Sequence, residues 1–371
     1  MPREFLRFTP IPLSTDVSNG LTRPSDDLLI STPRGLYCPP GDFFIDPWRP
    51  VDRAVVTHAH ADHLRWGSKS YLVSEEGAGV TRVRLGPKGI VEALPWGASR
   101  TIGAVRVSLH PAGHILGAAQ VRLEHKGQVA VVTGDFKRHV DPTTTPFEVV
   151  PCHLLVTEST FALPVFRWAQ ADQLPEDLGT WWRRNQSQRR TSVLFGYALG
   201  KAQRLLAALS SDQGPILIHG AVGKLNDAYR AAGVQLPATL PASPENARKH
   251  QGAALVIAPP SAAGGSWIRK FGPYSTAFAS GWMQLRGTRR RRAADQGFVV
   301  SDHADWPGLV DTVRETGAER VLVTHGYTDV FVRWLREHEG LDAEVLATPW
   351  SGEAEEPAET QEPGETQEPS A

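Results

Sequence analysis

Cysteine is nearly absent: the 371 residues include two, Cys38 and Cys152. That excludes a disulfide framework and a thiolate-built zinc site, and leaves histidines and carboxylates as the ligands for any metal. Long apolar runs are missing too. None approaches the ~18 residues that a membrane span needs, and Met1–Pro10 lacks the apolar stretch of a secretory signal. A cytoplasmic protein without membrane contact is expected. The net charge is small, at −1, but it is unevenly placed. Residues 351–371 hold seven Glu and no Lys or Arg, so residues 1–350 carry +6. A mildly basic body suits a polyanionic partner, and suits an ordinary solvated surface equally well.

The chain is long enough for one large domain or two ordinary ones. Residues 1–30 are polar and interrupted by prolines. From Tyr37 onward, short runs such as GDFFIDP, RAVVTHAH, AVRVSLHPAGH and QVAVVTGDF alternate apolar and polar residues between Gly and Pro breaks. Such a pattern predicts stacked β-sheets. Near residue 170 it changes: SVLFGYAL, KAQRLLAALS, ILIHG, LNDAYRAAG and ALVIAP read as strands alternating with helices, a parallel α/β unit. After the basic run Arg289–Arg292 come FVVSDHAD, the helix WPGLVDTVRETG, the strand RVLVTHG and the helix DVFVRWLREH. The final segment repeats ETQEP and has too little apolar surface to offset ordering entropy, so a disordered acidic tail is expected over 351–371.

The densest chemistry lies in THAHADHL, Thr57–Leu64. In extended backbone His58 and His60 point the same way, and Asp62 with His63 follows on the turn. Four metal-competent side chains so close together can serve two ions. Three more candidates stand at separate strand ends: His114 in PAGHILGAA, Asp135 in VVTGDF and His325 in VLVTHGYTD. Each alone is an ordinary strand-end residue. Together they supply the further ligands, including a carboxylate able to bridge two cations. Asp46 in FFIDP either orients a ligand histidine or is a plain Asp-Pro turn. Glu158 in VTESTF and His303 in VVSDHAD both follow apolar runs. A carboxylate paired with an imidazole is a general-acid device.

In this order HAHADH, AGH, GD, ESTF, SDHAD and THG resemble the metallo-β-lactamase superfamily and its β-CASP nucleases over roughly residues 35–345. GLYCPPGDFFIDPWRPVDRAVVTHAHADHLRWGS and SDHADWPGLV look like the bacterial ligase-associated DNA exonucleases in particular. The resemblance implies an α/β fold: a metallo-β-lactamase αββα sandwich with an inserted β-CASP α/β domain. The core would occupy 1–170 and 295–350, and the insert 171–294. It puts His58, His60, His114 and Asp135 on a first metal, and Asp62, His63, Asp135 and His325 on a second. Asp46 would orient a ligand, and Glu158 with His303 would be the acid pair.

The activity so implied is phosphodiester hydrolysis, with Asp62, Glu158 and His303 as catalytic residues. Water activated between two divalent ions attacks phosphorus, and His303 protonates the leaving oxygen. Zinc suits the His/Asp ligand set, and manganese could occupy it. Nucleic acid is the expected partner. DNA is favoured over RNA by the closer whole-chain likeness, with a role in DNA repair beside an ATP-dependent DNA ligase. A histidine at His325 resembles the RNA-processing branches as well. An RNA endo- or exonuclease and an inactive nucleic-acid-binding protein are the alternatives, the latter disfavoured by the complete ligand set. Arg183, Arg184 and the Arg289–Arg292 run, with Arg289 and Arg290 foremost, are candidate phosphate contacts. Lys201, at the Gly200 junction between strand and helix, is expected to bind phosphate, with Ser301 adding a hydroxyl.

Overall fold

The computed structural model describes residues 28–168, 173–287 and 294–348, which form three β-sheets with helices packed around them. The expectations for Arg289–Arg292 and for the tail 351–371 lie outside the described residues.

Six strands build the first sheet in sequence order: β1 Ile30–Thr32, β2 Gly35–Cys38, β3 Phe43–Ile45, β4 Arg53–Val55, β5 Ser70–Ser74 and, after helix α1 Ala78–Leu85, β6 Val91–Leu94. A second sheet continues with β7 Ser99–Ile102, β8 Val105–Pro111, β9 Ala119–His125, β10 Gln128–Val132 and β11 Leu154–Ser159.

Helix α2 Leu174–Ser187 then leads into a third, parallel sheet. Its elements are β12 Thr191–Phe195, α3 Lys201–Ala207, β13 Ile216–Ile218, α4 Gly220–Ala231, β14 Leu240–Pro241, α5 Pro244–Lys249, β15 Leu255–Ala258, β16 Tyr274–Ala279 and β17 Gln296–Phe298. The chain afterwards returns to the second sheet through α6 Trp306–Thr316, β18 Arg320–Gly326, α7 Thr328–Trp334 and β19 Asp342–Val345. β18 pairs in parallel with β11, although the whole third sheet separates them in sequence.

Burial explains the layering. Alternate residues of β8, Val105, Val107 and Leu109, join Val121 and Leu123 of β9 against Phe43, Ile45, Val55 and Leu72 of the first sheet. Each such side chain, taken from water, contributes about 1.5–3 kcal/mol. β12 and β15 are buried at every residue, as central parallel strands covered on both faces are. Cys38 and Cys152 are buried and unpaired, small apolar fillers as their scarcity implies.

Two boundaries differ from the sequence reading. Gln296–Phe298 hydrogen-bonds to β16, so the third sheet extends past residue 294. The apolar run FVVS also leaves its strand at Phe298, and residues 299–305 form an irregular connection with a bend at Asp302 and His303. In both cases pairing partners distant in sequence set the limit.

Candidate metal centre

Four loops that leave strand ends meet at one edge of the two packed sheets. Thr57–Leu64 follows β4, Ala112–Gly117 follows β8, Thr133–Lys137 follows β10, and His325 lies near the end of β18. Gly134 has φ +56°, and a Cβ there would stand 2.6 Å from Thr57, so only glycine lets these two loops close up. His325 itself has φ +57°, an uncommon conformation for a non-glycine residue and of the kind that gathers at functional sites.

The arrangement forms two adjoining groups of donors. In the first, His60 Nδ1 stands 3.1 Å from His58 Nε2 and 3.0 Å from His114 Nε2. Asp135 Oδ2 lies 3.5 and 3.8 Å from those two Nε2 atoms. Donor atoms sharing one ion at ~2.0–2.1 Å sit roughly 3.3 Å apart, close to this spacing. The second group holds Asp62, His63 and His325. His63 Nε2 is 3.6 Å from Asp62 Oδ2 and 3.5 Å from Asp135 Oδ2, while His325 Nδ1 is 3.7 Å from Asp135 Oδ1. Asp135 adjoins both groups.

Backing interactions fix which nitrogen faces inward. The Leu199 carbonyl accepts from His60 Nε2 at 3.2 Å, leaving Nδ1 as the bare nitrogen. The Asp302 carbonyl accepts from His114 Nδ1 at 2.7 Å, leaving Nε2. Asp46 Oδ2 lies 2.7 Å from His63 Nδ1 and 2.6 Å from Thr57 Oγ1, which donates to it. Asp46 thus contacts a candidate ligand histidine in the way an orienting carboxylate would. Thr57, Leu199 and Asp302 were not singled out from the sequence. Two of them act through a backbone carbonyl, which no residue type advertises.

Electrostatics separates the groups. Burial holds the His58 imidazole well below its usual range, aided by the neighbouring His63. Burial likewise lowers His60, and it lowers His114 to about 3 with help from His303 and His60. Burial pulls His63 the same way, but the Asp135, Asp62 and Asp46 carboxylates outweigh it and hold His63 well above the usual range. Burial would raise Asp135, yet the facing His63 and His303 keep it well below the ordinary carboxylate range.

The donors fit metal ions on their own terms. His63 Nε2 and Asp135 Oδ1 are buried without a hydrogen-bond partner among the described residues, a costly state that a cation would remove. In the first group three ring nitrogens face one another, and in two of the rings a backbone carbonyl accepts the N–H of the opposite nitrogen, which leaves the inward one bare in the neutral ring.

Beside this cluster Glu158 Oε2 and His303 Nδ1 are 2.8 Å apart, both buried. Phe136 N donates to Glu158 Oε1 at 2.8 Å, so the carboxylate is held at both oxygens. The His303 ring packs 4.7 Å from that of His114.

Lys201 and Ser301 differ from expectation. Lys201 is fully buried, with Nζ 3.5 Å from Asp302, so it cannot meet a substrate from solution. It belongs to a sealed ionic network. Lys137 donates to Asp141 at 2.7 Å, and Arg204 stands 3.2 Å from Asp141 and 3.7 Å from Asp302. Arg204 also donates to the Ser301 carbonyl. Burial lowers the Lys137 ammonium to about 8. The Ser301 hydroxyl bonds the backbone of His303, accepting from its N–H at 3.1 Å and donating to its carbonyl at 3.2 Å. It shapes the turn instead of pointing to a ligand. Arg183 and Arg184 are exposed on α2.

Comparison with known proteins gives the same family. No family model matches the chain. A protein named "Probable DNA ligase" from Opitutus terrae is 35% identical over 315 residues, which are 83% of this chain and 30% of that protein. "Endoribonuclease ysh1" of Emericella nidulans is 33% identical over 127 residues, 32% of this chain and 14% of the relative. "Cleavage and polyadenylation specificity factor 73" of Drosophila melanogaster is 29% identical over 164 residues, 42% and 24% of the two chains. The chain thus spans less than a third of the length of these relatives. A solved Enterococcus faecalis protein of unknown function shares the fold at 13% identity, with a TM-score of 0.54 over 81% of this chain and 80% of that one. With these relatives and adjoining histidine–carboxylate groups that could hold metal ions, the chain belongs to the β-CASP family of metallo-β-lactamase-fold proteins.

Proposed function

We propose that this protein is a metal-dependent nuclease that hydrolyses phosphodiester bonds, acting on DNA as an exonuclease. The observation that carries the reading is Asp135, a member of the His58–His60–His114 group that also lies 3.5 Å from His63 and 3.7 Å from His325, with the Glu158–His303 pair beside them. His58, His60, His114 and Asp135 would hold one divalent ion, and Asp62, His63, Asp135 and His325 the other. Zinc is favoured by the histidine-rich set, and manganese is the second choice. Bound there, two such ions supply charge neutralisation at a phosphodiester and acidification of water.

The chain's own residues do the rest. Asp46 and the carbonyls of Leu199 and Asp302 hold three ligand rings in place, so little reorganisation is left for the reaction. Glu158 engages His303 Nδ1 and supports its protonated form, so a proton passes from Nε2 to the leaving oxygen. Residues 171 to about 298, carrying the third sheet, are the inserted β-CASP domain, and the nucleic acid lies between it and the core.

DNA is favoured because the relative that matches most of this chain is named a DNA ligase, and work beside an ATP-dependent ligase in DNA repair follows from that likeness. RNA is the second reading, favoured by relatives named endoribonucleases. Purified protein loaded with Zn²⁺ or Mn²⁺ is to be incubated with end-labelled single-stranded DNA and RNA of one sequence. Stepwise shortening of DNA in preference to RNA is expected. Preferential cleavage of RNA would reverse the substrate, and cleavage of neither would end the nuclease reading.

A further inference from the structure

Beside His303 stands an aromatic wall that phosphodiester hydrolysis itself does not require. Phe161 and Phe166 are fully buried, with centroids 4.8 Å apart, and form its floor. Trp168 and Trp282 each pack 4.9 Å from Phe161. Tyr327 lies 6.3 Å from both Phe166 and Trp282. Unlike the floor, Trp168, Trp282 and Tyr327 are only half-buried.

The wall draws on both sides of the molecule. Trp168 follows β11 and Tyr327 follows His325 by two residues, whereas Trp282 comes from the loop after β16 of the third sheet. It also touches the reacting groups. The Phe161 centroid is 5.9 Å from the His303 ring, and Trp168 Nε1 donates to the His303 carbonyl at 2.9 Å. Trp282 Nε1 is buried without a hydrogen-bond partner among the described residues, so what Trp282 offers a ligand is its ring face. Arg167 and Arg286, neighbours in sequence of Trp168 and Trp282, are exposed and offer cations to flanking phosphates.

We propose that Trp168, Trp282 and Tyr327 form a stacking platform for the nucleobase beside the scissile phosphate, which makes single-stranded nucleic acid the substrate. The inference rests on the nuclease reading and deepens it. A base within a duplex has both faces covered by its neighbours, whereas an unpaired base offers a face to an aromatic wall whatever its identity.

The test is a cycle of protein and substrate changes, read as binding in an Asp62→Ala background so that turnover does not intrude. Dissociation constants are measured by fluorescence anisotropy for labelled single-stranded oligonucleotides, intact or carrying one abasic residue at successive positions. Trp282→Ala should weaken binding of the intact strand about ten-fold, the effect of losing one stacked base. Trp282→Phe, which keeps an aromatic face, should recover most of that loss. At one position the abasic residue should cost the unsubstituted wall the same ten-fold and cost the Trp282→Ala wall nothing further. Independent, multiplying losses at every position would overturn the platform, as would tighter binding of a blunt duplex than of the single strand. An intact cycle in a chain that cleaves no oligonucleotide when Asp62 is present would count against the nuclease reading alone.

Discussion

The two halves of the metal centre use the same residue types in different surroundings. His58, His60 and His114 are backed by a hydroxyl and two backbone carbonyls, and burial lowers the pKa of all three rings. His63 is backed by the Asp46 carboxylate and faces two more, which hold it towards the cationic form. The first half is the more sealed, with no exposure at the His58 or His114 side chain and His60 half-buried, whereas in the second half His63 and His325 are buried but Asp62 is 32% exposed. Donors largely withdrawn from water, each ring held by a hydroxyl or a backbone carbonyl, form a rigid cradle. Carboxylate-backed donors at the rim form one that is open to exchange. The first half should therefore bind its ion more tightly than the second.

Asp135 belongs to both halves, and its loss should have the largest effect. Asp135→Ala is expected to bring cleavage to background and to empty both positions, as measured by elemental analysis of dialysed protein. Retention of one tightly held ion would show that the halves are independent. Asp62→Ala should also abolish cleavage, but it should cost only the ion of the open half. Because Asp62 is partly exposed, its melting temperature should stay near that of the unaltered chain, and near-wild-type activity would sink the two-ion scheme.

His303→Ala should slow turnover by ~10²–10⁴-fold, the usual worth of a general acid, while leaving metal content unchanged. The defect should shrink on a p-nitrophenyl phosphodiester, whose leaving group needs no proton. An equal loss on both substrates would assign His303 to binding or structure. Asp46→Asn should have the smallest effect, weakening the open half's ion by ~10–100-fold and sparing the sealed half. Weakening of both ions alike would erase the distinction drawn between them.

Much of this centre was readable because its residues announce themselves locally. His58, His60, Asp62 and His63 fall in one short segment, and the structure gathers them within reach of one another. His114, Asp135 and His325 were readable as strand-end residues beside small or turn-forming neighbours, and they arrive at the same edge. Lys201 was misread for a clear physical reason. A glycine before a short helix suggests an anion site, but whether the following lysine reaches solvent depends on Asp302, a hundred residues later. Ser301 likewise looked available until its turn consumed the hydroxyl.

By itself the sequence determined the types of the candidate ligands and the periodicity of the sheets, because both are properties of residue type and local spacing. Only the tertiary structure decided how the candidate ligands divide into a more sealed and a more open half. That division depends on the carbonyls of Leu199 and Asp302 and on the carboxylate of Asp46, each brought from a distant segment. A backbone oxygen looks alike in every residue, so its place beside a histidine is fixed by packing and cannot be read from the chain.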